Sequence, residues 1–373
     1  MPPMTTGTAT ADTPPAESDW HPDFLGGFSA RRLPLHDVPE VVGESVDDPY
    51  ATVVRLDRDA PSQERAEMSG DQADRHPREA VLYLHGWNDY FFQAHVAQWW
   101  ADREVDFYAL DLRRCGRSLI DGQLPGYVND LTEYYEEVDR AYELVAQHHD
   151  RVWLMGHSTG GLVASLWAHD RPGRAAALVL NSPWLEFQGS AAGRALGATL
   201  LSGIGRRRPT TVLPMHDTGF YARTIHSRYD GPWDYDLTLK PNPSQPIRVG
   251  WLRAALRGHQ RVAQGLDIQA PVLVMCSTRS DLRLRWSPQM AYADIVLDVE
   301  QIAMRAHHLG RRVLISRIEG GMHDLTLSKE PARSETFATM AAFVAGVRER
   351  LNHDDQLATA GVAPVAGSET MAQ

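Results

Sequence analysis

The chain has 373 residues, 43% hydrophobic and 23% charged, a globular balance with room for one large domain carrying an insertion, or for two domains. Lys and Arg number 37 against 48 Asp and Glu, and the resulting net charge of −11 repels a phosphate backbone, so nucleic acid is not an expected partner. Cys115 and Cys276 cannot staple a disulfide scaffold and sit in no metal spacing, and no run of about 18 apolar residues suggests a membrane span.

Residues 1–19, rich in Thr, Ala and Pro, predict a disordered tail. They have neither the basic nor the apolar region of a signal peptide, so a soluble, cytoplasmic protein is expected. An early β-hairpin region leads into the polar stretch 57–78, whose turn signal at Ser69, Gly70 and Asp71 suggests a flexible connection. The apolar runs 80–84 and 105–110 predict strands. Between 131 and 148, Leu131, Tyr134, Tyr135, Val138, Ala141, Tyr142 and Val145 recur at helical spacing. A strand at 152–155, a helix at 162–168, and strands at 176–180 and 272–276 follow. Next come a helix at 295–309, a strand at 312–318 and a helix at 333–350. From 352 the composition again predicts a disordered tail, 352–373.

Apolar strands alternating with helices imply an α/β fold over 20–351, with a mostly parallel sheet flanked by helices. In such a sheet reactive groups gather at the C-terminal ends of the strands. One stretch, from Trp184 to about His259, breaks the alternation. Dense in aromatics and prolines and without strand or simple helix order, it reads as an inserted cap over about 184–259.

The run Gly156, His157, Ser158, Thr159, Gly160 follows a predicted strand and opens a predicted helix. The pattern G-x-S-x-G in that context describes a sharp turn that pushes a serine hydroxyl out of the sheet, with a helix N-terminus behind it to favour negative charge. Glycines are needed because a side chain would collide with neighbouring backbone. Such a hydroxyl attacks only when a base removes its proton, and in strand-elbow arrangements the acid and then the histidine come later in the chain. His323, in a Gly-rich loop after the strand ending at Ile318, is the candidate base. The pairs His148–His149 and His307–His308 sit near helix ends as solvated residues, and His157 packs beneath the turn. Asp294, read as the junction of a loop with the 295–309 helix, is the leading acid. Asp281, among Arg279, Arg283 and Arg285, is the alternative and bears the marks of a solvated surface pair; Asp298 is a third. The backbone N–H groups of Trp87, after His85 and Gly86, and of Thr159 are the candidate oxyanion donors.

On these residues the chain resembles the α/β-hydrolase superfamily, in the branch holding monoacylglycerol lipases, lysophospholipases and the serine aminopeptidase group. The resemblance rests on Leu84, His85 and Gly86, on Asp111 to Ser118, on the elbow from Gly156 to Gly161, and on the surroundings of Asp294 and His323; it covers about 80–350. It departs in one place, since residues 277–293 intervene before Asp294 where the family's acid follows its strand more closely. The resemblance implies a serine hydrolase acting on carboxylic esters of acylglycerol or lysophospholipid type, with a small-molecule ester as partner and with no cofactor and no metal. The apolar run 191–201 suits an acyl chain or simply packs the cap, and Arg206, Arg207 and Arg208 suit a phosphate head group or a solvated helix end. An aminopeptidase or acyltransferase with the same residues, or a non-catalytic binding module, are the alternatives. An aminopeptidase would draw on Glu186, Asp217, Asp230, Asp234 or Asp236.

Overall fold

The buried strands carry apolar side chains on both faces, and their period of two divides the core into halves. In β4 (Glu79–Leu84), Ala80, Leu82 and Leu84 enter one half while Val81 and Tyr83 enter the other. The computed structural model describes residues 19–44, 46–57, 77–187, 207–214 and 217–359. Within them one nine-stranded sheet has the order β1-β2-β3-β5-β4-β6-β7-β8-β9. An antiparallel edge is formed by β1 (His21–Pro22), β2 (Phe28–Pro34) and β3 (Tyr50–Leu56). From β5 (Val105–Asp111) through β4, β6 (Arg151–His157), β7 (Leu178–Asn181), β8 (Val272–Ser277) and β9 (Val313–Ile318) all pairings are parallel.

Helices α1 (Ala94–Ala101) and α7 (Ala332–Thr359) cover one face, through Trp100, Met340 and Val344. The other face is covered by α2 (Tyr135–Ala146), α3 (Thr159–Asp170), α5 (Val249–Gln264) and α6 (Val299–Ala306). Parallel strands need such crossovers, and burial on both faces follows. Among the described residues, no helix is long and apolar enough to cross a membrane.

Three expectations are corrected. The last helix does not end near 351 but continues to Thr359. No Gly or Pro interrupts 352–359, and Arg151 reaches across to Asn352 and Asp355. The cap stretch is not without helices: it holds the short α4 (Phe220–Ile225) and most of the 16-residue α5. Trp251, Leu252, Ala254, Ala255, Gly258, His259 and Val262 form the buried stripe of α5, at the spacing a helix requires. The helix expected from 295 begins only at Val299, because Asp298 caps it by accepting the Glu300 N–H. The apolar run 191–201, Arg206, the tail 1–18 and nearly all of the 57–78 connection lie outside the described residues. Arg207 and Arg208 are exposed.

Described residues of the expected cap pack against the loops after β4 and β9 through a third apolar cluster. Ile225, Tyr235, Tyr221, Trp233, Leu237 and Leu239 meet Tyr90 and Phe92 from the loop after β4, and Met322 and Leu327 from the loop after β9.

Candidate active site

Ser158 stands between β6 and α3 with φ 53° and ψ −118°, a conformation that a non-glycine residue holds only when its surroundings enforce it. The enforcement comes from backbone bonds: its N–H donates to the Asn181 carbonyl at 3.1 Å, and its own carbonyl accepts the N–H of Trp184 at 3.0 Å and of Gly161 at 3.0 Å. Glycine is required on both sides. A Cβ on Gly156 would lie 2.7 Å from the Gly161 Cα, and one on Gly160 would overlap the backbone oxygens of Leu84 and His85.

His323, in the loop after β9, is buried and donates from Nδ1 to Asp294 Oδ2 at 3.0 Å. With Nδ1 so engaged, Nε2 is the nitrogen left to take a proton. The His323 ring packs 4.8 Å from that of His157, the residue preceding Ser158. Asp294 is fully buried, and its Oδ1 accepts the N–H groups of Val296 and Leu297, both at 2.8 Å. It is therefore held by a turn, not at a helix start as the sequence suggests. The long 277–293 stretch is an excursion whose ends meet: the Asp281 N–H donates to the Asp294 carbonyl at 2.8 Å, and the Asp294 N–H to the Arg279 carbonyl at 3.1 Å. In space Asp294 thus stands just beyond β8. Asp281 is buried rather than solvated, yet its carboxylate is held by the exposed Arg283 at 2.7 and 2.5 Å. Asp298 is the cap of α6.

The turn after β4 carries Trp87. A Cβ on Gly86 would come within 3.1 Å of the Ser158 Cβ, which places this turn against the nucleophile candidate. His85 fixes it from behind: Nε2 accepts the Leu112 N–H at 3.0 Å, so Nδ1 carries the proton and donates to the Gly86 carbonyl at 2.7 Å. The Phe91 N–H donates to Asp111 Oδ1 at 2.9 Å, and Arg117 binds the other oxygen of Asp111. The arginine-rich run after β5 is thereby a brace. Thr159 is the first residue of α3, where an N–H has no intrahelical acceptor.

Sequence reasoning missed a second brace. The Asn181 side chain donates to Asp324 Oδ1 at 2.7 Å and accepts the Leu325 N–H at 3.1 Å, so one residue joins the elbow to the histidine loop. Burial alone would raise the Asp324 carboxyl; the facing His157 and donors from Thr326, Asn181 and Gln93 outweigh it and hold the group at about 2. Burial pushes His157 down to about 4, so it is neutral at pH 7. An asparagine closing an apolar strand, and an aspartate directly after the candidate histidine, were the visible signals. His149, expected to be solvated, is instead buried and bonded to Asp106 and the Val145 carbonyl.

The sequence profile of the family described as serine aminopeptidase, S33, matches residues 75–330. Phospholipase YtpA of Bacillus subtilis (strain 168) is 30% identical over 127 residues, a match spanning 31% of this chain and 44% of that protein's length. A monoacylglycerol lipase from Paleococcus ferrophilus superimposes with a TM-score of 0.53 at 18% identity, over 73% of this chain and 95% of that one. The monoglyceride lipase of Saccharomyces cerevisiae gives 0.56 at 14% identity, over 84% of this chain and 97% of that one. These two likenesses bear on the fold. With the parallel sheet, the helices on both its faces and a profile match across most of the chain, the protein belongs to the serine aminopeptidase S33 family of α/β-hydrolases.

Proposed function

We propose that the protein cleaves carboxylic esters through an acyl-enzyme on Ser158. His323 Nε2 takes the Ser158 proton as Oγ attacks the ester carbonyl carbon, and the Trp87 and Thr159 N–H groups receive the oxyanion. Collapse of the tetrahedral species breaks the bond to the alcohol, which leaves with the proton from His323. Water then repeats the sequence and frees the acid. Asp294 keeps the imidazole in its tautomer and stabilises the imidazolium. The observation that carries this reading is the buried 3.0 Å bond between His323 and Asp294 beside the strained elbow.

The substrate class is an ester of acylglycerol or lysophospholipid type. The aromatic cap over the strand ends supports it, as do the lipase and phospholipase relatives. The cap carboxylates give a peptidase little to bind a substrate amine with. Glu186 pairs with Arg305 and Asp230 with Arg223, Asp217 accepts the N–H groups of Gly219 and Ser244, Asp236 accepts from Thr238, and Asp234 is almost fully exposed.

Hydrolysis of p-nitrophenyl butyrate by wild type and Ser158→Ala tests the reading. The variant is expected to keep its thermal midpoint and to lose more than about a thousandfold in turnover, the scale seen when an acylated serine is removed. Turnover above that level would refute the assignment.

A further inference from the structure

The turn bearing the Trp87 N–H is fastened to the cap as well as to the sheet. The three residues that follow Trp87 each engage the cap strap 236–245. Asn88, at φ 52°, donates from Nδ2 to the Pro241 carbonyl at 3.0 Å, and its Oδ1 accepts the Gln245 N–H at 3.0 Å. Asp89 Oδ1 accepts from Lys240 Nζ at 2.6 Å and from the Tyr90 N–H at 3.0 Å. The Tyr90 hydroxyl accepts the Asp236 N–H at 2.8 Å. Both members of the Lys240–Asp89 pair are buried. The ammonium lies 5.4 to 5.6 Å from the ring centres of Phe92, Tyr221 and Tyr235, and Tyr221 stands edge-on to His323 at 5.5 Å. Lys240 thus ties the cap strap to the turn that bears Trp87, beside a tyrosine that packs on His323.

A buried ion pair is a poor way to add stability. Taking two charges out of water is costly, and apolar side chains of similar volume would hold the cap as well or better. What such a pair supplies is direction, since a short charge-assisted bond tolerates little displacement. Resting on the ester-hydrolase reading above, we propose that Lys240 is a positioning residue for the oxyanion site: through Asp89 it fixes the turn that aims the Trp87 N–H at the developing charge. The cap strap then belongs to the machinery that stabilises the transition state and is more than a wall of the substrate pocket.

A misaimed donor weakens the transition state more than the bound ester, so the loss falls on kcat and spares KM. Lys240→Met alone strands a buried carboxylate. The test therefore uses Asp89→Asn/Lys240→Met, which removes both charges at similar volume, together with Lys240→Arg, which keeps the charge. Thermal midpoint, kcat and KM for p-nitrophenyl butyrate are measured for each, after wild type has been checked for turnover and fluorophosphonate uptake. The double variant is expected to melt within a few degrees of wild type, with KM changed less than about threefold. Its kcat should fall about 10- to 100-fold, short of the loss from deleting an oxyanion donor outright, and Lys240→Arg should retain most of kcat. A double variant with wild-type kcat would make the pair merely structural, and a loss carried by KM would assign it to substrate binding; either overturns the proposal. A wild type without turnover or labelling would overturn the ester reading, and this inference with it.

Discussion

At Ser158 the chain holds a non-glycine residue at φ 53°, and the bonds that enforce it come from β7 and from the start of the cap, at Trp184. Asp294, the proposed acid, is held at both oxygens, one by two backbone N–H groups and the other by His323. Asp294→Asn should lower kcat by about 10³–10⁴, because an amide both misorients the imidazole and removes the charge that steadies its protonated form. Asp281→Asn should stay within about tenfold, since the Asp281 carboxylate is held by Arg283 and not by His323. Steady-state kinetics of the two variants decide the matter, and the reverse ranking would move the acid to Asp281. His157 gives a second residue-level test. Burial lowers its imidazole to about 4 from the ordinary 6.5, so between those values the unfolded chain binds a proton that the folded chain refuses. Stability therefore rises with pH across that window and is lost as pH falls through it. Thermal midpoints of wild type should drop on going from pH 7 to pH 4, and His157→Gln should show a shallower drop over the same range. Parallel curves would contradict the neutral, buried imidazole.

Among the elements, the central parallel strands were legible because their apolar runs feed both halves of the core, as Leu82 and Tyr83 do in β4. The elbow was legible because its glycines answer to close backbone approach, a local demand that leaves a local signature. Helix α5 carries its pattern in the open, from Trp251 to Val262, but follows a stretch whose prolines and aromatics have no helical period. The start of α6 is hidden because Ile295, Val296 and Leu297 are apolar like the helix face that follows, while the cap at Asp298 decides where helical bonding starts. The 277–293 excursion could not be read locally at all. Its meaning depends on the pairing of Ser280 with Asp294, which no short window contains. The cap yields the prediction at this scale. If its aromatic residues border an acyl site, kcat/KM for p-nitrophenyl esters should rise one to two decades from C2 to medium chains, at about 0.8 kcal/mol per buried methylene. A profile flat or falling from C2, measured below micelle formation, would contradict the acyl site and leave the catalytic residues standing.

For the whole molecule, one sheet gathers groups that lie far apart in sequence. Trp87 follows β4, Ser158 follows β6, Asn181 ends β7, Asp294 stands beyond β8 and His323 follows β9. Chain order and strand ends made Ser158 and His323 visible in the sequence. The residue types at Asn181 and Asp324 stand in plain view, but their roles, like that of the Lys240–Asp89 pair, arise from contacts between strand ends and with the stretch 184–259, which no short window contains. The family profile spans these strands and the insertion between them, 75–330. If these ends converge to make Ser158 a nucleophile, the serine is open to covalent capture. Native protein is treated with a fluorophosphonate, digested, and the modified peptide identified by mass spectrometry. One adduct is expected, on Ser158, absent from Ser158→Ala and strongly slowed in a folded His323→Ala. An adduct on another serine, or none on folded wild-type protein, would contradict it.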